Sequence, residues 1–172
     1  MDSAVRVSPS TAAALARYLG GVALLGVGVD HIEQYWVDSY AAIPTIGTLF
    51  ALNFASAAIL ALGLLVPIRD AAASWARAGR PMLAVGGIGI AGGSLVGLLY
   101  SESVGLFGFT EPGYRSAVVV ALALEAATMF LLGAFVALNR RVSASHRAQG
   151  TQRALSGAGI AQEPPGSHCR CR

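Results

Sequence analysis

Lysine is absent from the chain, and charged residues of every kind make up only 12% of its 172 positions. A soluble domain averages roughly 25% charged residues, so too little polarity remains to cover a water-facing globule. The net charge of +3 therefore rests on arginine alone. The arginines sit at the edges of hydrophobic runs and form no continuous basic face, which excludes nucleic acid as the expected partner. Cysteine is nearly as scarce. Cys169 and Cys171 stand within the last four residues, lacking the partners of a zinc site and the spacing of a CxxC redox pair. Long polar segments are missing too, and once the hydrophobic runs are set aside no stretch remains that could bury a core of its own.

What the chain does have is hydrophobic sequence, 55% of its residues, with a mean hydropathy of +0.61. It falls into four runs, each near the ~20 residues that cross about 30 Å of hydrocarbon. The fold class expected is all-α: a polytopic membrane protein, a four-transmembrane-helix bundle with short loops. Helices are predicted at about 11–33, 43–66, 81–100 and 116–138. Residues 1–148 then form the transmembrane domain, and 149–172, rich in Gly, Ser and Pro, a disordered cytoplasmic tail. A signal peptide competes for the first run, but no small-residue cleavage pattern follows it.

Punctuation marks the run boundaries. Pro44 suits the first turn of the second helix, where its missing N–H would have no partner, and Pro67 marks the other end. Residues 67–81, with Arg69, Asp70, Trp75, Arg77 and Arg80, read as an interfacial loop or short helix at headgroup depth. Arg17, near the start of the first run, is expected to snorkel to the headgroups. In the third run Gly89, Gly93 and Gly97 recur every four residues and line one face suited to close approach of another helix, in this chain or in a homo- or hetero-oligomer. The same glycines do not form a phosphate loop, because no strand precedes them and no Lys-Ser/Thr pair follows.

Arginines 6, 17, 69, 77, 80, 140, 141 and 147 flank one side of the four crossings, and Arg115 stands alone near the other. Asp30, Glu33, Asp38, Glu102 and Glu111 lie on that other side. The positive-inside rule puts both termini in the cytoplasm of a bacterial inner membrane and both polar hairpin loops outside.

Against this background a few polar groups stand out. A helical rise of ~1.5 Å per residue puts Asn53 and Glu125 both about 13 Å below the outer boundary, and Ser94 about 9 Å deep. His31 and Glu33 would cap this column from the outer end of the first helix, beside Asp30. An ionisable residue within a span costs about 2.5–3.5 kcal/mol and faces the bundle interior, so Glu125 is expected to point inward and, as the neutral acid, to donate to the Asn53 carbonyl. The candidate ligand-binding set is thus Asp30, His31, Glu33, Asn53, Ser94 and Glu125, with no catalytic residue, no metal site and no cofactor assigned. His31 with its acidic neighbours offers too few converging ligands for zinc. Haem needs axial His residues within the helices, and His31 has no mate. Tyr35, Trp36, Tyr40, Phe107, Phe109 and Tyr114 read as an interfacial aromatic belt.

The segment from His31 to Asn53, through Tyr40, Ile43, Pro44, Ile46, Gly47, Leu49, Phe50 and Leu52, resembles a stretch that recurs in small four-helix integral membrane proteins of GC-rich bacteria. It covers about one-seventh of the chain. The resemblance implies a four-helix membrane fold and attaches no activity to it. A second similarity, to DoxX-type four-helix proteins, is one of topology.

Three functions stay open on these residues. The first is a non-enzymatic structural or accessory membrane protein with an outward-facing polar pocket, in which Asn53 and Glu125 fix helix register. The second is a small proton- or ion-coupled transporter or sensor using Glu125. The third is a quinone- or metal-binding subunit of a membrane oxidoreductase.

Overall fold

The computed structural model describes residues 8–67, 73–105 and 116–160. Arg6, Arg69, Asp70, Phe107, Phe109, Glu111, Tyr114, Arg115, Cys169 and Cys171 lie outside the described residues, as do the side chains of Trp75 and Arg77. The chain is an all-α four-helix bundle. Helix α1 spans Pro9–Val37, α2 spans Pro44–Leu65, α3 spans Ala73–Ser103 and α4 spans Ser116–Ile160, with a single 3-10 turn at Tyr40–Ala42 before α2. Each of the four is long and apolar enough to cross a membrane. One compact unit, Met1–Asn139, holds α1, α2, α3 and the first part of α4; a second, Arg140–Arg172, carries the rest of α4.

Local chemistry sets the helix starts. Ser8 caps α1 by accepting from the Thr11 N–H at 3.2 Å, and Pro9 follows at the first helical position, where φ is already fixed and no donor is wasted. Pro44 does the same for α2. Between them Ser39 takes a left-handed conformation with φ of 62°. This turn folds Tyr40 back into the bundle, where it is 4% exposed. Tyr40 therefore leaves the expected interfacial belt, whereas Trp36 remains 70% exposed.

Two boundaries differ from the sequence expectation. Helix α3 begins at Ala73 and continues through Pro81, so the end of the supposed interfacial segment is its first part. The proline removes one backbone bond, and the surrounding Ala and Arg residues favour helix enough to bridge it. Helix α4 reaches Ile160, beyond 138 and into a stretch expected to lack structure. Ala154, Ala158, Gln149 and Gln152 favour helix there despite three glycines, and the next proline is Pro164, so no proline stops the helix.

Inside the bundle, glycine and alanine let large side chains interlock. A Cβ on Gly20 would lie 2.5 Å from Leu132 Cδ2, and one on Gly87 would lie 2.8 Å from both Leu24 and Leu132. Leu24, Leu64 and Leu132 are wholly buried, surrounded by Ala13, Ala16, Ala57, Ala61 and Ala84. Lipid is as apolar as leucine, so such contacts hold membrane helices together through packing density. The outside is apolar as well: Ile59 and Phe130 are 70% and 76% exposed.

Arg17 does not snorkel. It is buried, and its Nη1 donates to the carbonyl of Leu64, while the guanidinium lies 4.0 Å from the centre of the Tyr18 ring. Arg80 donates from α3 to the carbonyl of Val66 at 3.2 Å. The last carbonyls of a helix have no intrahelical donor and carry its negative dipole end. Two arginines, from α1 and α3, answer two carbonyls at the end of α2, those of Leu64 and the C-cap residue Val66.

Candidate functional site

A cavity of about 340 Å³ opens among the four helices of the first unit. Helix α1 contributes His31 and Gln34; α2 contributes Phe50, Asn53 and Ser56 among others; α3 contributes Ser94 and the glycines at 89, 93 and 97; and α4 contributes Val118, Ala121 and Glu125. Along α3 the lining extends from Gly89 to Ser101, which at ~1.5 Å per residue is about 18 Å. Most of the wall is apolar, with a few polar groups converging on it, the composition usual for a site that receives a small molecule.

His31 is held from both sides. Its Nδ1 lies 2.9 Å from the Val27 carbonyl, which can only accept, so Nδ1 carries a proton. Its Nε2 lies 2.8 Å from Ser94 Oγ, which donates to it when the ring is neutral. Phe50 packs on the imidazole with centroids 5.0 Å apart, and Tyr40 stacks on Phe50 at 4.8 Å and 25°. The imidazole is thereby fixed in orientation as part of the cavity wall.

Glu125 is 1% exposed. Ser94 is its polar neighbour, yet neither carboxyl oxygen completes a hydrogen bond by distance and angle. Asn53 Oδ1 is buried without a donor as well. Both residues thus reach the same cavity, as the depth argument expects, but the hydrogen bond expected between them is not formed. Gly89, Gly93 and Gly97 explain the room that is left. A Cβ on any of them would meet nothing within 4 Å. Among the described residues no helix packs against the glycine face, which is a bare wall of the cavity, while close approaches occur at other glycines, Gly20, Gly47, Gly63 and Gly87 among them.

The expected acidic cap is also rearranged. Glu33 is exposed and absent from the cavity wall, because it lies about 200° around the helix from His31 at 100° per residue. Asp30 is buried at 8% exposure but is likewise not part of the lining. Its Oδ2 accepts from Gln34 Nε2 at 2.6 Å. Among the described residues no three His, Cys, Asp or Glu side chains gather where a metal ion could be held.

Of the six residues proposed from sequence, His31, Asn53, Ser94 and Glu125 meet at one cavity, and Asp30 stands behind it through Gln34. Sequence reasoning passed over Gln34 and Ser56. The signal was spacing: Gln34 follows His31 by three positions and Ser56 follows Asn53 by three, which puts each pair on one helix face. Thr128 shows the same offset from Glu125. It is wholly buried, and its hydroxyl also has no partner.

Compared with known proteins, the chain matches no family model, no curated protein and no solved structure.

Proposed function

We propose that this chain is a non-enzymatic multi-pass protein of the bacterial inner membrane, with both termini cytoplasmic, whose outward-facing cavity binds a small amphiphilic molecule. The observation that carries this reading is the cavity itself. It offers about 340 Å³ of mostly apolar space, with unpaired oxygens of Asn53 and Glu125 among its lining residues. An empty packing fault between apolar helices would have an apolar lining and would be closed by larger side chains. Here glycine keeps the space open beside groups that lack partners. Extraction and mass spectrometry of molecules co-purifying with the protein in nanodiscs test the reading. A stoichiometric small molecule in the wild type that is lost from Gly93→Leu is expected, and an identical profile for the two proteins refutes it.

The orientation is supported by the arginine distribution and by Arg17 and Arg80, which bind carbonyls at the same end of α2. Cys169 and Cys171 provide the assay. A membrane-impermeant maleimide should label them only after cells are opened, and labelling of intact cells would reverse the topology.

A second reading is favoured by the isolation of the Glu125 carboxyl group, since intramembrane acids serve proton and ion coupling. Under it the protein is a small coupled transporter or sensor, and Glu125→Gln abolishes proton movement in proteoliposomes. Association with another copy or another protein through Gly89, Gly93 and Gly97 would seat a helix on the bare wall and close the cavity.

A further inference from the structure

Hydrogen-bond polarity restricts what the cavity can take. Glu125 Oε1, Glu125 Oε2 and Asn53 Oδ1 are buried without donors, and all three belong to residues of the lining. The imidazole is not free to answer them, because Nδ1 faces the Val27 carbonyl and Nε2 faces Ser94. One N–H of the Gln34 amide is taken by Asp30. Among the described residues no lysine or arginine lines the cavity, and Arg17 and Arg80 donate to the carbonyls of Leu64 and Val66. Among the described residues the site therefore presents three unanswered oxygens, two of them on one carboxyl group, and no cationic side chain.

A ligand that fills such a site must bring donors, and preferably positive charge, on an apolar body. Resting on the binding function proposed above, we infer that the cavity receives a lipophilic ammonium: a primary or secondary amine whose N–H groups reach Glu125 and Asn53 and whose hydrocarbon part lies along the α3 glycine wall. An ammonium offers up to three donors in a compact head, and a charge-assisted bond to carboxylate is about twice as strong as a neutral one. A quinone only accepts hydrogen bonds: it can take one from the neutral acid form of Glu125, but it leaves Asn53 Oδ1 without a donor and gains no charge-assisted bond. A neutral alcohol offers one donor and no charge.

The test uses the full chain in nanodiscs, with empty nanodiscs subtracted to remove partition into lipid. Equilibrium dialysis with octylamine, octan-1-ol and a short-chain benzoquinone gives the binding of each. Saturable octylamine binding at one site per chain is expected, with octan-1-ol and the quinone weaker by about tenfold to a hundredfold, the range of a hydrogen bond to a charged group. Glu125→Gln preserves side-chain size and should lower amine affinity by a similar factor, leaving octan-1-ol unchanged. Gly93→Leu, at a position with open space around it, should remove binding of every probe.

Equal affinity for amine and alcohol in the wild type, or full amine affinity in a folded Glu125→Gln protein, overturns the ammonium assignment. If Gly93→Leu still abolishes the binding seen in that case, the cavity function survives without the charge preference. If no probe saturates and no small molecule co-purifies, both fall. The comparison of amine with alcohol in the unmodified protein needs no variant to fold.

Discussion

Two glycine-to-alanine substitutions separate packing from backbone effects in this bundle. At Gly20 the added methyl group would lie 2.5 Å from Leu132 Cδ2, 2.9 Å from Cγ and 3.2 Å from the backbone nitrogen of the same residue. Leu132 is wholly buried, so its side chain has nowhere to swing, and the backbone nitrogen moves only if α4 itself moves away from α1. At Gly97 the same methyl group meets nothing within 4 Å. Both positions lie within long helices, where alanine gains about 0.5–1 kcal/mol over glycine in conformational entropy. That gain is common to the two variants and cancels when they are compared. What remains is the overpacking cost at Gly20, typically 1–3 kcal/mol. Gly20→Ala should therefore be less stable than Gly97→Ala by about 1–3 kcal/mol, and Gly97→Ala should be no less stable than the wild type. Reversible denaturation in mixed micelles, followed by helical circular dichroism, measures both. Equal stabilities, or destabilisation by Gly97→Ala alone, would refute the assignment of Gly20 to a close contact and of Gly97 to an open wall.

Other perturbations follow from the same contacts. Arg17→Met removes the donor to the Leu64 carbonyl, a charged hydrogen bond worth about 1.5–3 kcal/mol. Relief of guanidinium burial offsets part of this, so a net loss of about 1–2 kcal/mol in micelle denaturation is expected, and a gain in stability would contradict the capping role. Ser94→Ala leaves His31 Nε2 buried without its partner, at a cost of about 1–3 kcal/mol. Nitrogen NMR of the wild type should meanwhile show the neutral imidazole protonated on Nδ1, and the Nε2–H tautomer would contradict the geometry. Glu125→Leu replaces an unpaired buried acid with an apolar group. It should raise stability by about 1–3 kcal/mol while abolishing octylamine binding, and a loss of stability would mean that the carboxyl group serves the fold.

The sequence displays the spans because a hydrophobic run of membrane length is a property of composition, insensitive to partners. It displays His31, Asn53, Ser94 and Glu125 for the complementary reason: a polar group in an apolar run must face something other than lipid. Helical rise puts Asn53 and Glu125 at one depth, and they do share a cavity. Depth carries no information about angle, however, and Glu33 falls on the far side of α1 from His31. Arg17 shows another limit. Whether a long cation reaches headgroups or a buried carbonyl depends on where α2 ends in space, which no residue of α1 encodes. The glycines are the most instructive case. A four-residue glycine repeat reads alike whether a helix lies against it or a cavity does, and only the position of the neighbouring side chains separates Gly20 and Gly87 from Gly93 and Gly97.

The two ends of the polar inventory can be set against each other. At the end of α2, acceptors left over by helix geometry are answered by arginines from α1 and α3. In the cavity, acceptors of Asn53 and Glu125 go unanswered, although glycine occupies three α3 positions on the same wall. A donor side chain on that wall is an available solution, and each unpaired buried group costs about 1–3 kcal/mol. Arginines answer carbonyls at the end of α2, while Asn53 and Glu125 keep open oxygens on the cavity wall; Thr128 and Glu102 Oε1 are unpaired away from that wall. That asymmetry ties stability to occupancy. A molecule that binds only the folded protein stabilises it by RT ln(1 + [L]/Kd), and one that supplies the missing donors does so where the apo protein is weakest. Glu125→Leu should therefore remove the weakness and the ligand response together, and a variant that loses one but not the other would show that the unpaired acid does not link binding to stability.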